Sequence, residues 1–300
     1  MSGFHSVPSY VALPKARDKW IVQDLIPAGG STLIYGPPKR AGKSFFAVQL
    51  CAAISDPRAE ACLSFPVKAH GPVCYLQVDT PRWEWSDRLS VLEASYHTGG
   101  LDHLIVADRE ADGSEGEMPY PFDILREGGP WLRAQVDALQ PLAVVIDTLR
   151  DIHSGDENDS MQMRNVVTAL QAACHPAAVV LLAHNRKQSA GSDGPDDLMS
   201  GARGSSYLVG RVDVIIHLTR RQMTFQSRSC DETILRIDRN DDGHVILADA
   251  FHTEAVELAK TSGPGSTTLL LAKTLHERYP DKSLEACRHL MRTLRRRHGA

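Results

Sequence analysis

No stretch of the chain approaches the roughly 20 consecutive apolar residues that a membrane-spanning helix needs. Residues 1–19 lack the apolar core of a secretory leader. Cys-x-x-Cys pairs are also missing: Cys51, Cys62, Cys74, Cys174, Cys230 and Cys287 are scattered, several of them inside apolar runs. That spacing argues against a zinc site and a disulfide framework, and points to small core residues of a reduced, cytoplasmic protein. With 42% hydrophobic and 23% charged residues, the 300-residue chain can bury a substantial core as one large or two modest domains. The net charge of −4 is unevenly spread. Residues 267–300 hold eight Lys/Arg against three Asp/Glu, a net of +5, which leaves −9 on the remainder. A basic tail on an acidic body makes nucleic acid a candidate partner for the tail.

What is present centres on Ser31-Thr32-Leu33-Ile34-Tyr35-Gly36-Pro37-Pro38-Lys39-Arg40-Ala41-Gly42-Lys43-Ser44-Phe45-Phe46. A β-rich run enters a Gly/Pro-punctuated loop, and Gly42-Lys43-Ser44 opens an apolar helix over 45–54, the strand–loop–helix layout of a phosphate-binding loop. Amides from Gly36, Pro38, Lys39, Arg40, Ala41, Gly42, Lys43, Ser44 and Phe45 are the expected nucleotide cradle (Pro38 lending only its backbone shape), where the helix dipole also favours an anion. Lys43 would reach the β- and γ-phosphates of ATP, and the Ser44 hydroxyl would hold Mg²⁺. Five residues separate Gly36 from Gly42 where the usual loop has four. Either Gly36 makes the turn and the loop bulges, or Pro37 takes the glycine position with its fixed φ.

Further strands are expected at 72–79, 103–107, 142–147, 177–183 and 212–218, and helices at 82–96, 130–139, 161–174 and 202–208. The continuous apolar runs read as strands buried on both faces, so the alternation up to about residue 218 predicts an α/β parallel sheet. Between 222 and 251 the pattern changes, and Asn240-Asp241-Asp242-Gly243 joins strands at 233–237 and 244–247 in a β-hairpin.

Asp147 ends an apolar strand 104 residues after Lys43. It is the expected partner of a phosphate loop, supporting Mg²⁺ with Ser44. Asp79, at the end of the second strand, would orient the attacking water, with Glu84 as the alternative. His184, ending the strand after that of Asp147, would sense the γ-phosphate. Arg203, Arg211 and Arg220 are candidates for an arginine finger supplied across a subunit interface. Each has a plainer reading, as a helix cap or a surface group. Asp156, Glu157 and Asp159 lack calcium-loop spacing, so they read as ordering a loop and capping the next helix.

In order along the chain, several segments resemble the RecA-like ATPases of the hexameric RepA plasmid-replication helicase type. They are Gly29-Gly30-Ser31-Thr32-Leu33-Ile34-Tyr35-Gly36, Gly42-Lys43-Ser44, Val145-Ile146-Asp147-Thr148-Leu149-Arg150, Asp156-Glu157-Asn158-Asp159-Ser160, Leu181-Leu182-Ala183-His184-Asn185-Arg186-Lys187 and Gly201-Ala202-Arg203-Gly204-Ser205-Ser206. The similarity spans about 20–251. It implies a RecA-type core, ATP hydrolysis at subunit interfaces, a ring-shaped, hexameric homo-oligomer, and loops facing DNA. Two further departures accompany the long loop: Asp79 stands where the family usually has glutamate, and Asp213 where its helicases have arginine.

The expected organisation is a lead-in (1–19), a RecA-like ATPase domain (20–260), a Thr-Ser-Gly-Pro-Gly-Ser linker (261–266) and a basic helix-turn-helix-like tail (267–300). Arg288, Arg292 and Arg295 lie on the polar face of the last helix as possible DNA contacts; the rival is a helical hairpin packing on a neighbouring subunit. The chain therefore reads as an ATP- and Mg²⁺-dependent ATPase acting on DNA, with no membrane association. The alternative is an ATP-dependent DNA-binding or assembly switch with slow turnover.

Overall fold

Leu33 and Tyr35 bury into one side of their strand and Ile34 into the other, and neighbouring strands repeat the division. Period-two alternation with both sets apolar requires helices on both faces of a sheet. The computed structural model has that architecture, and it describes residues 6–12, 19–38, 41–95, 101–110, 117–157, 159–185, 206–228, 230–239, 244–248, 250–262, 266–280 and 282–298.

The chain begins with α1 (Val7–Val11), followed by a small antiparallel pair, β1 (Trp20–Val22) and β2 (Ile26–Pro27). Next come β3 (Ser31–Gly36), α2 (Lys43–Ser55) and a second small pair, β4 (Ala61–Cys62) and β5 (Phe65–Pro66). Then follow β6 (Val73–Gln77), α3 (Arg82–Ser95), β7 (Leu104–Asp108), α4 (Gly128–Leu139) and β8 (Ala143–Asp147). A 3₁₀ turn (Leu149–Ile152), α5 (Ser160–Cys174), β9 (Ala178–His184), α6 (Ser206–Arg211) and β10 (Val214–Leu218) complete the alternating part. The chain ends with β11 (Gln222–Ser227), β12 (Cys230–Arg239), β13 (Val245–Leu247), α7 (Ala250–Thr261), α8 (Thr268–Arg278) and α9 (Leu284–His298).

One nine-stranded sheet has the order β13-β12-β11-β10-β3-β9-β8-β6-β7. The six strands from β10 to β7 are parallel, and β11 to β13 extend them antiparallel. This mixed α/β architecture fits a P-loop ATPase core. One core layer packs α2 and Trp85 of α3 against the sheet; the other packs α4, α5 and α6. Helix α2 is apolar on nearly every side and correspondingly buried.

Most elements lie within a residue or two of their expected bounds. The short helix expected at 202–208 instead runs Ser206–Arg211, with 202–205 outside the described residues. Pattern reading missed β11, which pairs residue for residue with β10, Leu218 opposite Met223. The turn 240–243 lies outside the described residues, while Ile237 stands opposite Leu247 in an antiparallel pair.

Pattern reading also passed over α7. Its Phe251 and Ala255 pack with Leu275 of α8 and Met291 of α9, so the helices after the sheet share a core of their own. Thr267 caps α8 by accepting from Leu270 N–H at 3.2 Å. Cys51, Cys62, Cys174 and Cys287 are buried free thiols; burial pushes Cys62 and Cys174 up to about 12, so they stay protonated as packing residues. No helix among the described residues is long and apolar enough to cross a membrane.

Candidate nucleotide site

Because the central strands are parallel, their C-terminal ends gather on one edge. Gly36 stands opposite His184 in the register, and Gln77 stands opposite both Asp147 and Asp108. In α/β sheets this edge is where ligands bind.

Gly36 is the last residue of β3 and does not make the loop's turn, so the loop proper starts at Pro37. It has to be glycine because a Cβ there would sit 2.1 Å from the Leu218 carbonyl oxygen. The residue with left-handed geometry is Gly42, at φ +74°, which serves as the N-cap of α2. Lys43, not Phe45, is the first helical residue, and Phe46 N–H donates to the Gly42 carbonyl at 2.9 Å. Lys39 and Arg40 lie outside the described residues.

The Lys43 ammonium is buried at the loop. It donates to the Gly36 and Pro37 carbonyls, each at 3.1 Å, and lies 3.3 Å from His184 Nδ1. Burial lowers it to about 8, against the upward pull of Asp147 and Asp79. The proximity of Lys43 to both carboxylates joins the loop to the acidic side of the site.

Asp147 is buried at the end of β8. Its Oδ2 accepts from the Tyr75 hydroxyl at 2.9 Å and from Gln77 Nε2 at 3.4 Å. Burial raises its carboxyl above the ordinary range, while hydrogen bonds from Ser44 and Tyr75 pull it back. Tyr75 is pushed well up by burial and by the Asp147 charge, so the proton of that pair stays on the phenol. No cluster of three or more His, Cys, Asp or Glu suited to a metal occurs among the described residues. A nucleotide-bound Mg²⁺ needs only one or two protein oxygens beside the phosphates, and Ser44 next to Asp147 supplies that hard-oxygen pair.

Asp79 is exposed just beyond β6, and its backbone N–H donates to Gln77 Oε1 at 3.0 Å. Glu84 is already paired with Arg88 one helical turn on. The start of α3 is fixed by Arg82, whose Nε and Nη2 grip Asp108 at 2.8 Å each. Among the arginine candidates, Arg203 lies outside the described residues. Arg211 precedes β10, on the edge opposite Lys43, whereas Arg220 follows β10 on the same edge. Asp213 is far from the site chemistry: it accepts from Ser31 N–H at 2.9 Å and Ser31 Oγ at 3.1 Å, holding the start of β3.

Three residues escaped the sequence reading. Tyr75 and Gln77 sit on an ordinary strand, and only its pairing with β8 brings them to Asp147. Arg239, from the antiparallel extension, rests its guanidinium against Gly42 and 5.9 Å from the Phe45 ring centroid; Arg88 sits 5.6 Å from that ring. Burial, then the charge of Arg220, hold the Arg239 guanidinium below its usual value.

Asp159 caps α5 by accepting from Met161 and Gln162 N–H at 2.8 and 3.2 Å. Gln162 in turn accepts from Asp156 N–H at 2.9 Å, which orders the acidic loop. In the tail, Arg288 and Arg292 are exposed on α9, while Arg295 is half-buried and donates to the Ser266 carbonyl.

A glycine-capped helix bearing lysine and serine, set at the C-terminal edge of a parallel sheet beside a buried aspartate, defines the nucleotide-binding core of a P-loop ATPase. The profile of the AAA domain family matches residues 6–190, and the chain belongs to that family. The match ends shortly after His184, so β10 to α9 lie beyond it.

Proposed function

We propose that this chain is a RecA-like ATPase of the RepA-helicase type, working on DNA as a homo-oligomeric, hexameric ring. The observation that carries the ATPase reading is the meeting of Lys43 with the Asp147 and Asp79 charges at the Gly42-capped end of α2. Lys43 binds the β- and γ-phosphates, exchanging the Gly36 and Pro37 carbonyls for phosphate oxygens. Ser44 and Asp147 would hold Mg²⁺, which would supply charge neutralisation on the phosphates. Asp79 orients the attacking water, and His184, already 3.3 Å from Lys43, reads the state of the γ-phosphate. Arg203 or Arg220 serves as the finger toward a neighbouring subunit. Arg288 and Arg292 contact DNA phosphates, with Arg295 bracing the linker.

A second reading, an ATP-dependent switch or loader with slow turnover, draws on two observations. Asp79 has a carboxylate one methylene shorter than glutamate, and Asp213 is committed to Ser31 at the opposite edge.

ATPase assays with and without single- and double-stranded DNA separate the two. DNA-stimulated turnover that disappears in Lys43→Ala and Asp79→Ala supports the motor; nucleotide binding with slow turnover that DNA does not change supports the switch. Absence of nucleotide binding by the wild type would overturn both. Removing residues 267–300 should weaken DNA binding with a reduced salt dependence. Unchanged affinity would return Arg288 and Arg292 to an ordinary solvated face.

A further inference from the structure

We infer that Gln77 is a positioning residue that fastens the Asp147 carboxylate to the turn carrying Asp79, so that the two acidic groups are set as one unit. The inference rests on the ATPase reading above for its catalytic consequence, and on geometry alone for the linkage.

Gln77 is fully buried at the last position of β6, directly across the register from Asp147. A buried carboxamide must satisfy both its ends. One end, Nε2, donates to Asp147 Oδ2 at 3.4 Å. The other, Oε1, accepts two backbone N–H groups, from Asp79 at 3.0 Å and Thr80 at 3.1 Å. The orientation of the amide follows from its partners, because a carboxylate only accepts and a backbone N–H only donates. The backbone reinforces the same joint: Val78 N–H donates to the Asp147 carbonyl at 2.9 Å. Tyr75, two residues earlier on the same face, supplies the second donor to Oδ2.

No other side chain of this size does both tasks at neutral pH. Leucine fills the volume but strands two N–H groups and removes a donor from a buried carboxylate. Glutamate keeps the acceptor for Asp79 and Thr80 and sets a negative charge against Asp147. Without the tether, the metal-supporting and water-orienting carboxylates lose their common reference. Binding of ATP, which depends on Lys43 and the loop amides, does not pass through Gln77. The loss should therefore appear in kcat and spare KM.

The groups that act on the Asp147 carboxylate are the Ser44 and Tyr75 hydroxyls, Asp79 from the turn and Lys43 from α2. Asp108 of β7, opposite Gln77 in the register, is paired with Arg82.

The experiment compares full-length wild type, Gln77→Leu and Gln77→Glu in steady-state Mg²⁺–ATP hydrolysis at neutral pH. Gln77→Leu should lose on the order of tenfold or more in kcat, with KM within about twofold. Gln77→Glu, which keeps the acceptor but sets a charge against Asp147, should show a comparable loss. Wild-type kcat in either variant, or a KM that rises in step with the loss, would overturn the inference. The linkage is also read without turnover, by thermal unfolding. Gln77→Glu should be destabilised, and Asp147→Asn should restore stability in its background, because an amide at 147 then donates to the acid at 77. Strictly additive effects would overturn the linkage even if the wild type proved not to hydrolyse ATP, an outcome that would sink the ATPase reading alone.

Discussion

The guanidinium of Arg239 lies directly against Gly42: a Cβ on that glycine would fall 1.9 Å from Arg239 Nη2. The two residues come from opposite ends of the sheet-forming part of the chain, and a second tie holds the elements that carry them. Gln49 of α2 donates to the Val245 carbonyl at 3.0 Å and accepts from Val245 N–H at 3.0 Å. The antiparallel extension is thus pinned to the phosphate-loop helix at its first turn and again two turns on.

Gly42→Ala should fold with a modest loss of stability and a larger loss of nucleotide affinity. The colliding atoms are the far end of a flexible side chain, so Arg239 can move aside. The left-handed φ of +74° remains, and an alanine there costs about 1–2 kcal/mol. Relief of that strain would turn the first-turn amides away from the phosphates. Thermal unfolding with and without ATP measures both effects; a wild-type shift on adding ATP would contradict the prediction.

Gly36→Ala should be the more damaging change, although its backbone is unstrained. Here the obstruction is the Leu218 carbonyl, backbone of the adjacent strand, 2.1 Å from the added carbon. β3 and β10 would have to separate at the edge that presents the loop, at a cost of roughly 1–3 kcal/mol or more. Melting temperatures should fall in the order wild type, Gly42→Ala, Gly36→Ala.

The phosphate loop and the Asp147 strand were legible because each is a local pattern. Ser31–Gly36 is a β-rich run and Ala143–Asp147 an unbroken apolar one, each ending on a chemically marked residue, and burial on both faces of a parallel sheet makes such runs. What was not legible depends on pairing. Gln77 and Tyr75 matter only because β6 lies beside β8, and Arg239 only because β12 runs parallel to β10 two strands away. The glycine spacing misled for a related reason: Gly36 serves the packing of β3 on β10, not the turn. Helix α7 was overlooked although Asp249, a residue type favoured just before a helix, precedes it in the sequence; its apolar face serves the small core with α8 and α9.

Nucleotide affinity should weaken as pH rises past about 8. Burial holds the Lys43 pKa to about 8, so above that pH the neutral amine must take up a proton to meet the phosphates. The stability of the free protein moves the opposite way. A lysine depressed from 10.5 burdens the fold fully below about 8, and the burden is relieved as pH rises from 8 to 10.5. Calorimetry of ATP binding near pH 8 in two buffers of different ionisation enthalpy should report net proton uptake. Lys43→Arg, permanently charged, should bind more weakly and show no uptake from this position.

Tyr75→Phe should destabilise the protein more at neutral pH than near pH 4. The Asp147 pKa is raised by burial, so this carboxyl favours the fold below its ordinary range and loses that benefit as pH rises through its folded value. Tyr75 is the shorter of the two donors measured to Oδ2, and a hydrogen bond to a charged group is worth about 1.5–3 kcal/mol. When Asp147 is protonated that charge assistance disappears. Parallel melts of wild type and variant at the two pH values test the difference; an equal penalty at both would mean that the phenol acts only as packing.

Leu275→Ala should loosen the C-terminal helices without dissolving the sheet. Leu275 is fully buried in the small cluster shared by α7, α8 and α9, where removing a leucine side chain costs about 2–5 kcal/mol. That cluster and the sheet core touch a common residue, Leu247 at the end of β13, which packs partly against both. Hydrogen exchange should accelerate across residues 250–298 while β3, β8 and β9 keep their protection. Nucleotide affinity should stay close to wild type, because Arg239 and the Gln49–Val245 clamp precede the weakened helices. Equal acceleration in the central strands would show that Leu247 couples the two cores into one cooperative unit, and that the helices cannot be altered without disturbing the nucleotide site.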